Sequence, residues 1–292
     1  MRLVDDGAQR ASDQASARPA DSVTHLRPAN PRRTRFLGAV LAATFALGLL
    51  PAVASAATIK VVIVVGPVES QTSSYLADAR ALAKQARSYG ASVTEIYSPN
   101  ATWTRVKAAA KGANLLIYLG HGNGWPSPYR PFRSTSKDGF GLNAQAGHGH
   151  YNLKYYGASY VIASIRLAPN AVVILNHLCY SAGNSEPGNA NPTQTVAKQR
   201  MDNFASTFLR IGAKAVFAEA RGNPDYILDA LFHSSKTMSQ IFWSAPQATH
   251  RYSFAFKSTT TAGATAVSDP YASGKYYRSV VGHLSTTAAA WR

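Results

Sequence analysis

Cys179 is the only cysteine in a chain of 292 residues, and His121 lies 58 positions before it. Both residues follow short apolar runs. Leu115-Leu116-Ile117-Tyr118-Leu119 leads into Gly120-His121-Gly122, and Val172-Val173-Ile174-Leu175 leads through Asn176-His177-Leu178 into Cys179. A thiolate attacks carbonyl carbon, and a neighbouring imidazole can polarise the reaction centre and protonate the leaving amine. Gly122 lets backbone approach closely beside the imidazole, and the N–H of Cys179 is a natural donor to a developing oxyanion. These residues together predict acyl transfer, most directly peptide hydrolysis. Two plainer readings stand beside it: a turn histidine satisfied by backbone, and a buried inert thiol.

For this chemistry to occur, the two residues must meet. Each apolar run reads as a buried strand, and in an open α/β sheet ligands gather at the carboxyl ends of the strands. The rest of the pattern supports such a sheet. Ile59–Val65 is a strand ended by Gly66-Pro67, and Tyr75–Tyr89 is an amphipathic helix started by Ser73 or Ser74 and stopped by Gly90. Ser92–Tyr97 alternates as a strand, and Thr102–Lys111 is a short helix. This β-α-β-α-β order predicts parallel strands with crossover helices. Residues 123–156 form a long loop rich in aromatics, among them Trp125, Tyr129, Phe132 and Phe140. Helices are expected at Ser159–Leu167, Gln194–Ile211 and Tyr226–Phe242, with a strand at Ala215–Ala218. The region from Tyr252 onward predicts strands or irregular structure, with Ser279–Gly282 as one edge strand.

The order strand, His121-Gly122, helix, strand, Cys179, followed by the small residues of Tyr180-Ser181-Ala182-Gly183, resembles the caspase-like cysteine peptidases: metacaspases, gingipains, clostripain and legumain. The resemblance covers roughly Thr58 to Ala220. It implies a three-layer α-β-α sandwich with a mainly parallel sheet, His121 and Cys179 as the catalytic pair, and the amides of Gly122 and Cys179 as the oxyanion hole. Two residues before the nucleophile, caspases carry Gln and metacaspases carry Asp, whereas this chain carries His177. The family's substrate preference therefore does not transfer. His177, Trp125, Asn184 and Glu186 are candidates for the substrate pocket. His148-Gly149-His150 has too few ligating neighbours for a metal site. No cofactor or metal is expected, and calcium dependence is not inferable.

Composition bounds the setting. Pro31-Arg32-Arg33-Thr34-Arg35, the apolar stretch Phe36–Leu50, Pro51 and the small residues Ala52–Ala57 have the order of a cleavable signal peptide. A retained membrane anchor is the competing reading. The expected organisation is a disordered or wrongly started extension at 1–33, a signal at 34–56, the α/β domain at 57–250, and a C-terminal extension packed on it at 251–292. This predicts a protein secreted by a bacterium or held at its surface, touching a membrane only through an uncleaved signal. The full chain carries +16; leaving out the seven Arg and four Asp before Ala57 leaves +13. Such a charge suits anionic cell-surface polymers as partners, and no clustered Lys/Arg run points to nucleic acid. The leading function is an exported cysteine peptidase acting on a peptide or protein substrate. The alternatives are an inactive caspase-like domain used as a surface binding module, and a thiol transpeptidase acting on cell-wall peptides.

Overall fold

The strands that follow from the apolar runs sit side by side. The computed structural model describes residues 58–292; the extension at 1–33 and the expected signal at 34–56 lie outside them. In chain order the elements are β1 (Lys60–Val65), α1 (Thr72–Ser88), β2 (Ser92–Tyr97), α2 (Trp103–Ala110), β3 (Leu115–Leu119), β4 (Phe140–Asn143), β5 (Leu153–Tyr156), α3 (Ala158–Ser164), β6 (Ala171–Asn176), α4 (Gln194–Leu209), β7 (Ala213–Glu219), α5 (Asp225–His233), α6 (Met238–Trp243), β8 (Phe254–Lys257), β9 (Thr265–Ser268), β10 (Arg278–Gly282) and α7 (Ala288–Trp291).

Eight strands form one sheet in the order β2-β1-β3-β6-β7-β10-β9-β8. The first five are parallel, and the last three run antiparallel. The inner parallel strands are apolar on both faces because both faces are covered, whereas the edge strand β2 buries only Ile96. Val62 and Val64 point into one core, with Val106 of α2, Val161 of α3 and Phe204 and Phe208 of α4. Val61, Ile63 and Val65 point into the other, with Leu82 of α1, Leu228 of α5, Phe242 of α6 and Trp291 of α7. The architecture is thus an α-β-α sandwich with a mainly parallel sheet.

Four details depart from the sequence reading. Helix α1 begins at Thr72, before Ser73, because the Thr72 hydroxyl closes the preceding turn: it accepts from Val68 N–H and donates to the Glu69 carbonyl, both at 2.9 Å. The long 123–156 loop contains the β4–β5 hairpin, whose Phe140 and Leu142 are buried under the sheet. The single helix expected at Tyr226–Phe242 is two. Thr237 starts α6 with a reciprocal capping box to Gln240, which ends the α5 path at His233. The region from 251 onward is not an extension laid on a finished domain. β10 is an interior strand, paired to β7 on one side and β9 on the other, and it brings Arg278 to the buried carboxylates of Glu219 and Asp269.

Candidate functional site

β3 and β6 are hydrogen-bonded neighbours, with Leu119 beside Asn176 at their carboxyl ends. His121 is two residues beyond the first end and Cys179 three beyond the second. The two loops touch: a Cβ placed on Gly122 would lie 1.9 Å from the Cys179 carbonyl oxygen. Only glycine permits this approach. His121 and Cys179 line the same two hollows, which meet at the thiol.

The imidazole is held by Glu69 and its loop by Tyr118. The Tyr118 hydroxyl lies 3.0 Å from the His121 carbonyl and accepts from Gly141 N–H at 2.8 Å, which ties the His121 loop to β4. His121 Nε2 lies 3.0 Å from a Glu69 carboxylate oxygen. Glu69 sits just past β1, the strand beside β3, with a left-handed φ of 49°. Thr72 holds its carbonyl, and Glu69 N–H donates to the His150 carbonyl at 3.2 Å. His150 itself pairs through Nδ1 with the Ser98 hydroxyl at 2.9 Å. With Nε2–H donated to Glu69, a neutral His121 keeps Nδ1 as its base.

The turn carrying the thiol is equally braced. His177 and Tyr180 both adopt left-handed backbone, with φ of 63° and 69°. His177 N–H donates to the Glu219 carbonyl at 2.8 Å. The Ser181 hydroxyl and Asn184 Nδ2 each donate to the Leu178 carbonyl at 3.3 Å. Arg200 of α4 stacks over the Tyr180 ring at 4.7 Å and donates to the Asn184 carbonyl at 2.9 Å and to the Pro126 carbonyl at 2.7 Å. Neither Gly122 N–H nor Cys179 N–H finds an acceptor among the described residues.

Burial pushes the Cys179 thiol up to about 11, and the nearby Glu186 charge adds to the rise. The thiol is therefore protonated near neutrality, and an attack needs a base at the moment of reaction. Glu186 stands over the thiol region, accepting from the Tyr129 hydroxyl at 2.7 Å. It lines both hollows.

One of the two hollows, about 410 Å³, takes in His177, Asn184 and Glu186 together with His121 and Cys179. His177 Nε2 lies 3.3 Å from Asp78 of α1, and its ring packs 4.9 Å from Tyr75. Asn184 Oδ1 is buried without a partner. Trp125 is the exception among the candidate pocket residues. It lines a separate hollow with Phe132 and Arg210, because Asn203 Nδ2 on α4 donates to its carbonyl at 3.0 Å and turns the loop toward α3 and α4. The sequence reading missed Glu69, Asp78 and Tyr75. An acid just past a parallel strand neighbouring β3 was a usable signal for Glu69, since such positions share one sheet edge; Asp78 and Tyr75 lie on a helix whose facing only packing decides.

No protein-family profile matches the sequence, and no curated protein sequence is similar to it. Among solved structures the chain is similar to the Arg-specific cysteine proteinase gingipain R, at 13% identity over 79% of this chain and 61% of that one, with a TM-score of 0.37. It is also similar to a secreted C11 cysteine protease from Bacteroides thetaiotaomicron, at 9% identity over 72% of this chain and 65% of that one, with a TM-score of 0.36. The chain spans less than two thirds of the length of either.

Proposed function

We propose that this chain is an exported cysteine peptidase in which Cys179 attacks, His121 moves the proton and Glu69 orients His121. The observation that carries the reading is the meeting of three groups from the ends of three adjacent parallel strands: Glu69 after β1, His121 after β3 and Cys179 after β6. The thiol proton passes to His121 Nδ1 as sulfur bonds to the scissile carbonyl carbon. Gly122 N–H and Cys179 N–H receive the oxyanion. The imidazolium then protonates the leaving amine, leaving a thioester at Cys179, and water activated by the same imidazole hydrolyses it. Glu69 steadies the imidazolium by accepting its Nε2–H. Export rests on the segment at 34–56, and no helix among the described residues is long and apolar enough to cross a membrane.

A broad peptide library incubated with wild type, Cys179→Ala and His121→Ala tests the reading. Cys179→Ala should abolish turnover, and His121→Ala should lower it by roughly 10²- to 10⁴-fold. Full activity in Cys179→Ala, or no cleavage by wild type with or without calcium, overturns it and leaves the surface binding module as the better account.

A further inference from the structure

The hollow that holds Trp125 has no place in the peptidase chemistry, and it shares no lining residue with the hollows at the thiol. Its volume is about 750 Å³, within the range of small-ligand sites. Trp125 and Phe132 make an angled aromatic wall, with ring centroids 5.7 Å apart and planes at 55°. Phe132 is half-exposed, at 49%.

The polar groups of this hollow are incompletely satisfied. Asp138 is 3% exposed; one of its oxygens accepts from Trp125 N–H at 3.0 Å, and the other has no partner among the described residues. Thr207 is 1% exposed, and its hydroxyl is without a hydrogen bond. Buried polar groups are nearly always satisfied, so the open Thr207 hydroxyl beside a half-used Asp138 carboxylate points to a ligand that brings its own donors and acceptors. Arg210, exposed at the rim on the turn ending α4, makes no ion pair among the described residues.

We propose that this hollow binds a carboxylated sugar. The flat apolar face of a pyranose ring packs on Trp125 and Phe132. Its hydroxyls satisfy Asp138 and Thr207, and its carboxylate takes the planar guanidinium of Arg210. The +13 carried from Ala57 onward draws an anionic glycan toward the protein. The shared chemistry is found in uronic-acid chains and in muramic acid. Such a site would hold the protein on a surface polymer and leave the thiol cleft free.

The test is calorimetric and fluorescence titration of the full chain with tetragalacturonate, N-acetylmuramic acid, neutral maltotetraose and polyglutamate. Saturable binding of one or both carboxylated sugars is expected, and which one binds identifies the source. Maltotetraose should bind at least about tenfold more weakly, and Arg210→Gln should cost about the same factor, the scale of one charge-assisted hydrogen bond. Trp125→Leu should also weaken binding, and Cys179→Ala should leave it unchanged. Arg210 is exposed, so its variant folds even if Trp125→Leu does not. Absence of saturable sugar binding, equal affinity for maltotetraose, insensitivity to Arg210→Gln, or equally tight polyglutamate binding would each overturn the proposal.

Discussion

Replacing Glu186 with Gln should make the Cys179 thiol easier to ionise, by a bounded amount. The thiol stands at about 11 against an ordinary 9.0, with burial the larger cause and the Glu186 charge the smaller. Glu186 therefore accounts for less than half of the rise. Its removal should lower the alkylation midpoint by less than about one pH unit, equivalent to less than about 1.4 kcal/mol of differential stabilisation. At any pH well below the midpoint, iodoacetamide should react up to about tenfold faster with Glu186→Gln than with wild type. The chain has one cysteine, so the rate reports this thiol alone. Tyr129→Phe separates the charge from the contact, since it removes the hydrogen bond to Glu186 and keeps the carboxylate. Its midpoint should not fall. A wild-type midpoint below about 8 would refute the reasoning, because a thiolate would then already exist at rest. An unchanged or higher midpoint in Glu186→Gln would refute the assigned role of the charge. Slow alkylation of wild type at pH 6 follows from either a catalytic or an inert Cys179, so turnover alone separates those two.

Three further outcomes follow from the geometry. Glu69→Gln should lower kcat/KM by roughly 5- to 30-fold, a charge-assisted hydrogen bond discounted for its exposure to solvent; steady-state kinetics check it, and unchanged kcat/KM removes Glu69 from the mechanism. Gly122→Ala sets a Cβ against the Cys179 carbonyl, carbon and nitrogen at 1.9, 2.8 and 2.9 Å; the loops must part, and activity should fall about 100-fold or more in protein that circular dichroism shows to be folded, whereas near-normal activity would deny the contact. Burial pushes the Asp138 carboxyl up to about 7 from an ordinary 3.8. Between those values the folded state holds a proton that the unfolded chain has released, so stability falls as pH rises through this window and levels off above it. Asp138→Asn keeps an acceptor for Trp125 N–H, and its gain over wild type in urea unfolding should grow from about pH 4 to pH 7, to at most roughly 4 kcal/mol; a gain independent of pH would contradict the assignment.

The parallel half of the sheet was legible because its inner strands are buried on both faces and read as apolar runs, while its edge strand β2 alternates. Of the antiparallel half only β10 was legible, as Ser279–Gly282, and it was read as an edge strand although it is interior. Thr265-Ala266-Val267-Ser268 of β9 carries no such run, and β10 pairs with β7, whose partners lie some sixty residues earlier in the chain. β4 was hidden by Gly141 and Asn143, residues that local propensity assigns to turns. The division between α5 and α6 was legible in principle, since Thr237 and Gln240 have capping-box spacing. At the site, His121 and Cys179 could be named because strands point at them. Glu69 occupies a three-residue turn fixed by Thr72 and the His150 carbonyl, contacts that exist only after folding. Trp125 was placed on the wrong hollow because a loop's direction is set by its anchors on α4, and sequence gives no direction to a loop.

The interior position of β10 sets a condition on timing. Until residues 278–282 are synthesised, β7 has an open side, and Glu219 is a buried carboxylate without its guanidinium. The Glu219 carbonyl also anchors His177 N–H and Asn176 Nδ2, at 2.8 and 2.9 Å, and so the turn that presents the thiol. A nascent chain that already contains His121 and Cys179 therefore cannot assemble a competent cleft on the ribosome. A chain of this design holds its thiol and its imidazole apart from a finished cleft for as long as translation of its last strand is pending.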